Sequence, residues 1–424
     1  MAKVIQRRWE SASMGSGLAR RDTRPCDYQA YVPDFLVGRP FMLDGEVAAD
    51  VADAEGGIAR LNAEASALID TEALARILLR AEAVASSRIE GLEIGARRLL
   101  HAEVVRGLNQ AAADVSATEV LGNIDAMVFA LERVGPDDPI TVDLLLDVHQ
   151  RLVTGTRLEH HGGRLREEQN WIGGSDYNPC SAVFVPPPPD LVPELMRDLC
   201  TFCSTNELPA VAQAAIAHAQ FETIHPFVDG NGRTGRALIH MILRRRGLAL
   251  RVLPPVSLVL ATWARTYVNA LMGYRTIGES TSDQAVEGIN VWVGRFAAAC
   301  SRAVTDATFY EDRARQLQDD WRSRLGAIRA NSGTDLLVQK LPGAPVLTVP
   351  SAAALIGRTF KPAADAIERL EKAGILKQVN IGRRNRAFEA PEVIEAFTTL
   401  ERQLGSPGGD TRISAPARPV PYRR

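Results

Sequence analysis

The chain has 424 residues, 46% of them hydrophobic, which is enough for two or three domains with real cores. Its formal net charge is -2, from 49 Lys and Arg against 51 Asp and Glu, so no general attraction draws it to nucleic acid or to a membrane surface. No apolar run reaches transmembrane length, Arg7, Arg8, Arg20, Arg21 and Arg24 stand where a signal peptide would be apolar, and five scattered cysteines argue against a disulfide framework; a cytoplasmic protein is expected.

Residues 1–45, rich in Arg, Pro and aromatics, read as an arm that packs on the helical region after it, and helical patterning then dominates to about residue 310. Leu74, Ile77, Leu78, Ala81 and Ala85 recur at helical spacing, which predicts an amphipathic helix from Thr71 to Glu90, closed by Gly91. Ser86 and Glu90 then share a face. A carboxylate in the last turn opposes the helix dipole by about 0.3–1 kcal/mol unless a cation compensates, so Glu90 calls for an arginine partner. Between Gly163 and Pro188, Asn170-Trp171-Ile172-Gly173-Gly174 and Ala182-Val183-Phe184-Val185 predict a hairpin. Cys200-x-x-Cys203 lies in an apolar helical pattern with no second pair, so buried thiols are expected there.

Val211–Ile224 is apolar, alanine-rich and free of Gly and Pro, and predicts a helix ending at His225; a second helix is expected over Arg236–Arg246. Arg313–Arg329, charged and periodic, reads as a connecting helix within a linker over 311–334. From about residue 335, Thr348-Val349-Pro350-Ser351 opens a short helix to Ile356 and Gly357 turns the chain. Lys361 or Pro362 then opens a helix to Ala373, and Ile375–Phe388 alternates like a hairpin around Gly382. This order resembles a winged helix-turn-helix over 335–400, with Arg358, Lys361, Lys377, Arg383, Arg384 and Arg386 available to phosphates of DNA and Asp365, Glu368 and Glu371 diluting their charge. Residues 401–424, with Gly-Ser-Pro-Gly-Gly and a basic Pro-rich end, read as a disordered tail.

The chemistry concentrates in His225 to Arg236, which read His-Pro-Phe-Val-Asp-Gly-Asn-Gly-Arg-Thr-Gly-Arg. Gly230-x-Gly232-x-x-Gly235 formally matches a dinucleotide fingerprint, but the preceding segment is helical and no Asp or Glu occurs between Gly230 and Tyr274 to hold a ribose. A P-loop would need Gly-Lys-Ser or Gly-Lys-Thr, and the chain has neither. What remains is a helix–loop–helix anion site with its own histidine. A hydroxyl nucleophile needs a base, and His225 supplies one. Asp229, four residues on, suits Mg²⁺ held against two phosphates. The amides around Gly230 and Gly232, with the Asn231 side chain, suit an α-phosphate, and Arg233 and Arg236 suit the outer phosphates through forked hydrogen bonds. Thr234 and Gly235 complete the nucleotide-binding segment, and Phe227 is expected to pack and fix the turn.

These twelve residues match, at every position, the Fic family motif His-x-Phe-x-Asp/Glu-Gly-Asn-Gly/Lys-Arg-x-x-Arg, so the chain resembles enzymes that transfer AMP from ATP to protein hydroxyls. The resemblance implies a mainly α fold, with a Fic-type helical core over 111–310 and a small β-hairpin flap that holds the target peptide as an added strand. It implies ATP and Mg²⁺ as cofactors, the metal between the α- and β-phosphates, and pyrophosphate as leaving group. Ser86-Ser87-Arg88-Ile89-Glu90-Gly91, in the helical region 46–110, matches the family's inhibitory motif, whose glutamate pairs with the second motif arginine and blocks the γ-phosphate site. By that resemblance Glu90 pairs with Arg236 within one chain, and Tyr267 falls where the family often has an aromatic near the adenine. A homodimer is implied by family analogy, and no membrane partner. Two alternatives stand beside a self-inhibited AMP transferase: a DNA-binding regulator whose nucleotide site senses, and an enzyme that mainly removes AMP or transfers another nucleotide. The intact His225 separates the first of these, since a sensor needs no base there.

Overall fold

A computed structural model describes residues 1–10, 24–65, 71–108, 114–381 and 385–404. Arg20, Arg21, Gly382, Arg383, Arg384 and the tail from 405 lie outside the described residues. The fold is mainly α. In chain order the elements are β1 (Lys3–Trp9), β2 (Cys26–Val32), α1 (Gly45–Ala65), α2 (Thr71–Ile89), α3 (Ala96–Gly107), α4 (Val115–Glu132), α5 (Val142–Val153), α6 (Val192–Cys203), α7 (Ala210–Ile224) and α8 (Asn231–Arg245). There follow α9 (Val256–Thr262), α10 (Ala264–Tyr274), α11 (Asp283–Leu325), α12 (Gly333–Lys340), β3 (Val346–Leu347), α13 (Val349–Leu355), α14 (Phe360–Lys372), β4 (Lys377–Ile381), β5 (Asn385–Glu389) and α15 (Pro391–Leu404). They form two compact units, the first from Met1–Asp53, Phe129–Gly247 and Arg265–Ala298, the second from the remaining segments. No helix among the described residues is long and apolar enough to cross a membrane.

In the first unit α7 is the central element. Its sequence is apolar on every side, and a helix without a polar face has to be enclosed; every residue from Ala210 to Ile224 is buried. Gln213 donates to the Phe202 and Thr205 carbonyls at 2.8 and 2.9 Å, and the Trp292 indole donates to the Ala215 carbonyl at 2.7 Å. α8 lies close against α7 at Gly235, where a Cβ would stand 2.9 Å from both Phe221 Cδ1 and Glu222 Oε1. α8 begins at Asn231, five residues before the expected start at Arg236, because the Gly-Asn-Gly turn is itself the head of the helix, with Gly230 as its left-handed cap.

The arm expected over residues 1–45 contains a sheet that the sequence pattern did not reveal. β1 and β2 pair antiparallel from Lys3↔Val32 to Trp9↔Cys26. The flap, in turn, is shorter than the expected hairpin: Ile172 and Phe184 form a single antiparallel bridge, with Ile172 N–H donating to the Phe184 carbonyl at 2.8 Å. Gly173 and Gly174, at φ +73° and +82°, and a 3₁₀ turn at Pro179–Ser181 take the chain out of strand geometry beyond it. β2 borders this segment, since Tyr31 N–H donates to the Val185 carbonyl at 2.9 Å and Trp9 meets Trp171 edge to face at 5.3 Å.

This contact overturns the expectation drawn from the cysteines. Cys26 and Cys180, 154 residues apart in sequence, are joined by a disulfide with their Cα atoms 5.8 Å apart. Cys200, Cys203 and Cys300 are buried thiols, and burial pushes the Cys200 thiol up to about 12. Peptide mapping after alkylation of the native, unreduced protein is therefore expected to recover Cys26 linked to Cys180 and to leave the other three unmodified until the chain is unfolded. Free, readily alkylated Cys26 and Cys180 would contradict the arrangement.

In the second unit, Leu74, Ile77, Leu78 and Ala81 of α2 pack with Val252, Leu258, Tyr310 and Phe397. Glu82, fully buried on the same helix, accepts from the Ser257 amide at 2.7 Å and from the Ser257 hydroxyl. Farther along, β3, β5 and β4 form a three-stranded antiparallel sheet in that order. Thr348 and Ser351 make a capping box that starts α13, Gly357 at φ +61° turns the chain, and α14 buries Ala363, Ala366, Ile367 and Leu370 against Leu337, Val338 and Leu347. α15 then runs to Leu404, past the boundary expected at 400.

Candidate active site

α7 ends at His225, which adopts a left-handed conformation (φ +49°, ψ 61°) while its N–H donates to the Phe221 carbonyl at 2.8 Å. A β-carbon makes that conformation cost roughly 1–2 kcal/mol, so it persists only where the surroundings hold it. The imidazole is 19% exposed, and its Nδ1 lies 3.7 Å from Glu222 Oε2, one helical turn back. Burial, followed by the positive charges of Arg275 and Arg166, pushes it down to about 3. The ring is therefore neutral.

Beyond His225 the chain turns through a loop fixed by its own side chains. Asn231 Oδ1 accepts from the Phe227 amide at 2.8 Å and its Nδ2 donates to the Phe227 carbonyl at 2.9 Å. The Asn231 side chain is thus engaged with the loop backbone. His149 of α5 stacks on Phe227, with centroids 3.8 Å apart and planes 2° from parallel. The Gly163 amide donates to its Nδ1 at 3.3 Å, so the proton resides on Nε2, which donates to the Asp229 carbonyl at 3.0 Å. Gly230 is obligatory: its φ is +78°, and a Cβ would stand 2.9 Å from Leu152 Cδ2. The first bond inside α8 is donated by Thr234 to the Gly230 carbonyl at 3.0 Å, so the amides ahead of it head the helix at its positive end.

The charged motif residues surround this helix head. Asp229 is half-exposed, and its Oδ1 accepts from the Gly230 amide at 2.5 Å and lies 3.7 Å from Arg233 Nη2. Arg233 and Arg236 are both buried, at 4% and 1% exposure, as is Thr234. Gly235 faces α7 and is a packing glycine. Tyr267 is buried at 6% exposure, with its hydroxyl 2.8 Å from His218 Nε2 and its ring beside Trp292. It is part of an aromatic core. In the second unit, α2 closes at Gly91 (φ +82°) with Ser86 buried and Glu90 exposed; Ser87 Oγ accepts from Asn123 Nδ2 at 3.1 Å, which ties the end of α2 to α4.

The sequence profile of the Fic/DOC family matches residues 139–243, and the profile of the family's N-terminal region matches residues 48–132. Residues 48–132 and 139–243 belong to the Fic/DOC family. The Fic region is 35% identical over 135 residues to a protein adenylyltransferase fic-1 of Caenorhabditis elegans, a match covering 31% of this chain and 24% of that protein. It is 34% identical over 139 residues to a protein adenylyltransferase Fic of Drosophila willistoni, covering 32% and 26%. The chain thus spans about a quarter of the length of these curated relatives. The fold is similar to the crystal structure of a Fic family protein from Desulfovibrio desulfuricans G20, with a TM-score of 0.53, 21% identity, and coverage of 83% of this chain and 97% of that one.

Three residues of the Fic site escaped the sequence reading because they come from distant segments. His149 positions Asp229 and Phe227 from α5. Arg275 follows α10, donates to Thr223 Oγ1 and the Glu222 carbonyl at 3.2 Å each, and lies 3.6 Å over the Phe184 ring. Arg166, well before α6, donates from Nε to the His225 carbonyl at 2.9 Å. Glu222 was legible in principle, since a carboxylate three residues before a helix-end histidine shares its face.

Of the cations that suggested a DNA surface, Lys361 pairs with Asp365 at 2.7 Å and Arg358 donates to the Asn331 carbonyl at 3.2 Å, while Arg383 and Arg384 lie outside the described residues. Two further cations of α14 are also engaged: Lys372 pairs with Glu368 at 2.6 Å, and Arg369 donates to the Leu325 and Ala327 carbonyls.

Three histidines of the Fic unit are held neutral. Burial pushes His149 down to about 4 and, with Arg236, His218 down to about 3; His225 is also near 3. A histidine whose folded value lies below its unfolded one contributes stability in full above pH of about 6.5, and that stability is lost as pH falls toward the folded value. Lowering pH from 7.5 to 5 is expected to cost about 2 kcal/mol per histidine. Urea midpoints should fall accordingly, and His218→Gln should reduce the slope of stability against pH by about one proton. A slope unaffected by that substitution would contradict a neutral buried His218.

Proposed function

We propose that this chain is a self-inhibited protein adenylyltransferase that moves AMP from ATP to Ser, Thr or Tyr hydroxyls of target proteins. The observation that carries this reading is a neutral histidine at the end of α7, beside the head of α8 and its two buried arginines, within a region related to proteins named adenylyltransferases. His225 accepts the hydroxyl proton as the oxygen attacks the α-phosphorus, and pyrophosphate departs in line. Bound triphosphate counters the charges of Arg275 and Arg166 and so raises the basicity of the ring. The amides heading α8 stabilise the α-phosphate as charge develops, and Arg233 and Arg236 hold the outer phosphates.

The residues present fit Mg²⁺ as a shared ligand. Among the described residues no cluster of three or more His, Cys, Asp or Glu forms a ready cage, yet Asp229 offers a half-exposed carboxylate at the helix head, which suits a metal that keeps several waters and takes its other ligands from phosphate. When bound, the ion neutralises phosphate charge. Glu90 inhibits by pairing with Arg236 and excluding the γ-phosphate. The segment 335–400 is a winged helix serving protein contact and packing, a reading supported by Asp365, Glu368 and Glu371, which dilute its positive charge, and by the Lys361–Asp365 pair.

The position of the transferred label tests the reaction class. With Glu90→Gly protein and lysate, ATP labelled at the α-phosphate is expected to mark protein, whereas ATP labelled at the γ-phosphate leaves it unmarked. The reverse pattern would assign phosphoryl transfer and overturn the proposal.

A further inference from the structure

The carbonyls of four successive residues, Ile224 to Phe227, converge on one short strip of chain at the base of the flap. The Arg166 guanidinium donates to the His225 carbonyl from Nε at 2.9 Å and to the Ile224 carbonyl from Nη2 at 3.3 Å. The backbone N–H of Arg166 donates to the Pro226 carbonyl at 2.9 Å. Asn170 Nδ2 donates to the His225 carbonyl at 3.2 Å and to the Phe227 carbonyl at 3.0 Å. The same guanidinium reaches both stems of the flap, donating to the Glu168 carbonyl at 3.1 Å and the Pro187 carbonyl at 2.5 Å.

Such a convergence solves two physical problems at one place. The last turn of α7 is enclosed by protein, and its terminal carbonyls need donors; a planar guanidinium with several N–H groups supplies them, and its charge complements the negative end of the helix. The left-handed backbone of His225 is also sterically unfavourable and has to be held by its neighbours. Arg166 is 3% exposed and all four of its side-chain bonds go to main-chain carbonyls, so it holds two backbone segments in register. The flap segments it joins, ending at Glu168 and beginning at Pro187, are those that carry the Ile172–Phe184 bridge.

We infer that Arg166 and Asn170 are positioning residues that fix the flap to the backbone of His225, so that a target hydroxyl presented by the flap arrives at a set distance and angle from the base. This rests on the reading of His225 as general base and of the flap as the target's docking strand. Lysine at 166 keeps the charge but, as a point donor, cannot bridge four carbonyls.

The test uses the full chain in the Glu90→Gly background, with Arg166→Lys, Arg166→Gln and Asn170→Ala. Transfer kinetics, thermal midpoints and amide hydrogen exchange are measured together. Both Arg166 variants are expected to lower kcat by about 10- to 100-fold with KM for ATP within about two-fold, because a displaced base loses rate and leaves nucleotide contacts intact. Arg166→Lys should recover most of the thermal midpoint lost by Arg166→Gln without recovering kcat, and Asn170→Ala should show a smaller loss of kcat. Exchange is expected to rise together in residues 168–187 and 225–230. Unchanged kcat with a lowered midpoint, or faster exchange confined to one of the two segments, would overturn the inference. If the Glu90→Gly parent transfers no AMP, the reading of His225 fails, while the exchange measurement still decides the coupling.

Discussion

Replacing His225 by alanine in the Glu90→Gly background is expected to lower AMP transfer by about 10²–10⁴-fold, the usual contribution of a positioned general base. The side chain sits at the end of a wholly buried helix with its ring 19% exposed, so truncation removes little packing and the fold should persist. ATP binding should change little, because the groups assigned to phosphate are the amides heading α8 and the guanidiniums of Arg233 and Arg236. Stopped assays with α-labelled ATP at saturating nucleotide separate the two effects: a fall in kcat with KM for ATP held marks a group used in the transition state. Loss of ATP binding with unchanged turnover of the bound fraction would move His225 out of the base role and into the nucleotide site.

The second large effect is expected at Glu90. A charged hydrogen-bonded partner competing with phosphate for Arg236 is worth about 1.5–3 kcal/mol, so Glu90→Gly should raise transfer by roughly 10- to 100-fold at ATP concentrations below saturation. Glu90→Gln, which keeps the length of the side chain and removes its charge, should give a smaller rise. Arg236→Ala should abolish both, because the same guanidinium serves the γ-phosphate. Equal rates for wild type and Glu90→Gly at every ATP concentration would remove the Glu90–Arg236 pairing. Adding wild-type protein to targets already labelled by Glu90→Gly reads the alternative activity, since label that disappears would assign AMP removal to the same site.

How far these features could be read from sequence depended on whether the physics was local. The helix ending at His225 was legible because it is an alanine-rich run without Gly or Pro, and the lack of a continuous polar face fits its burial. Gly-Asn-Gly was legible as a turn, and Gly230 takes the positive φ that such a turn requires. The start of α8 was misplaced because Gly-Asn-Gly was read as a turn before a helix, whereas it caps one and forms its first residues.

Features made by distant segments were not legible. The joining stretch of more than a dozen residues between β1 and β2 is too long for its Gly15-Ser16-Gly17 to read as a tight hairpin turn, and nothing in the spacing of Cys26 and Cys180 joins them across 154 residues. The flap pattern around Ile172 and Phe184 was strand-like, yet the glycines that suggested a hairpin turn are the ones that end its pairing after a single bridge. His149, Arg166 and Arg275 have no local signature, because each acts on the backbone or side chains of a segment far away in the chain. Among the charges that suggested a nucleic-acid face, counting does not show that Lys361 finds Asp365 one turn along its own helix.

The measurement that tests the central claim most directly compares Glu90→Gly with Glu90→Gly/His225→Ala, each incubated with α-labelled ATP and lysate, with labelled proteins identified by mass spectrometry. The account predicts AMP on hydroxyl side chains of specific proteins with the first and a loss of at least about 10²-fold with the second. Equal labelling by the two proteins would contradict the assignment of His225 as base.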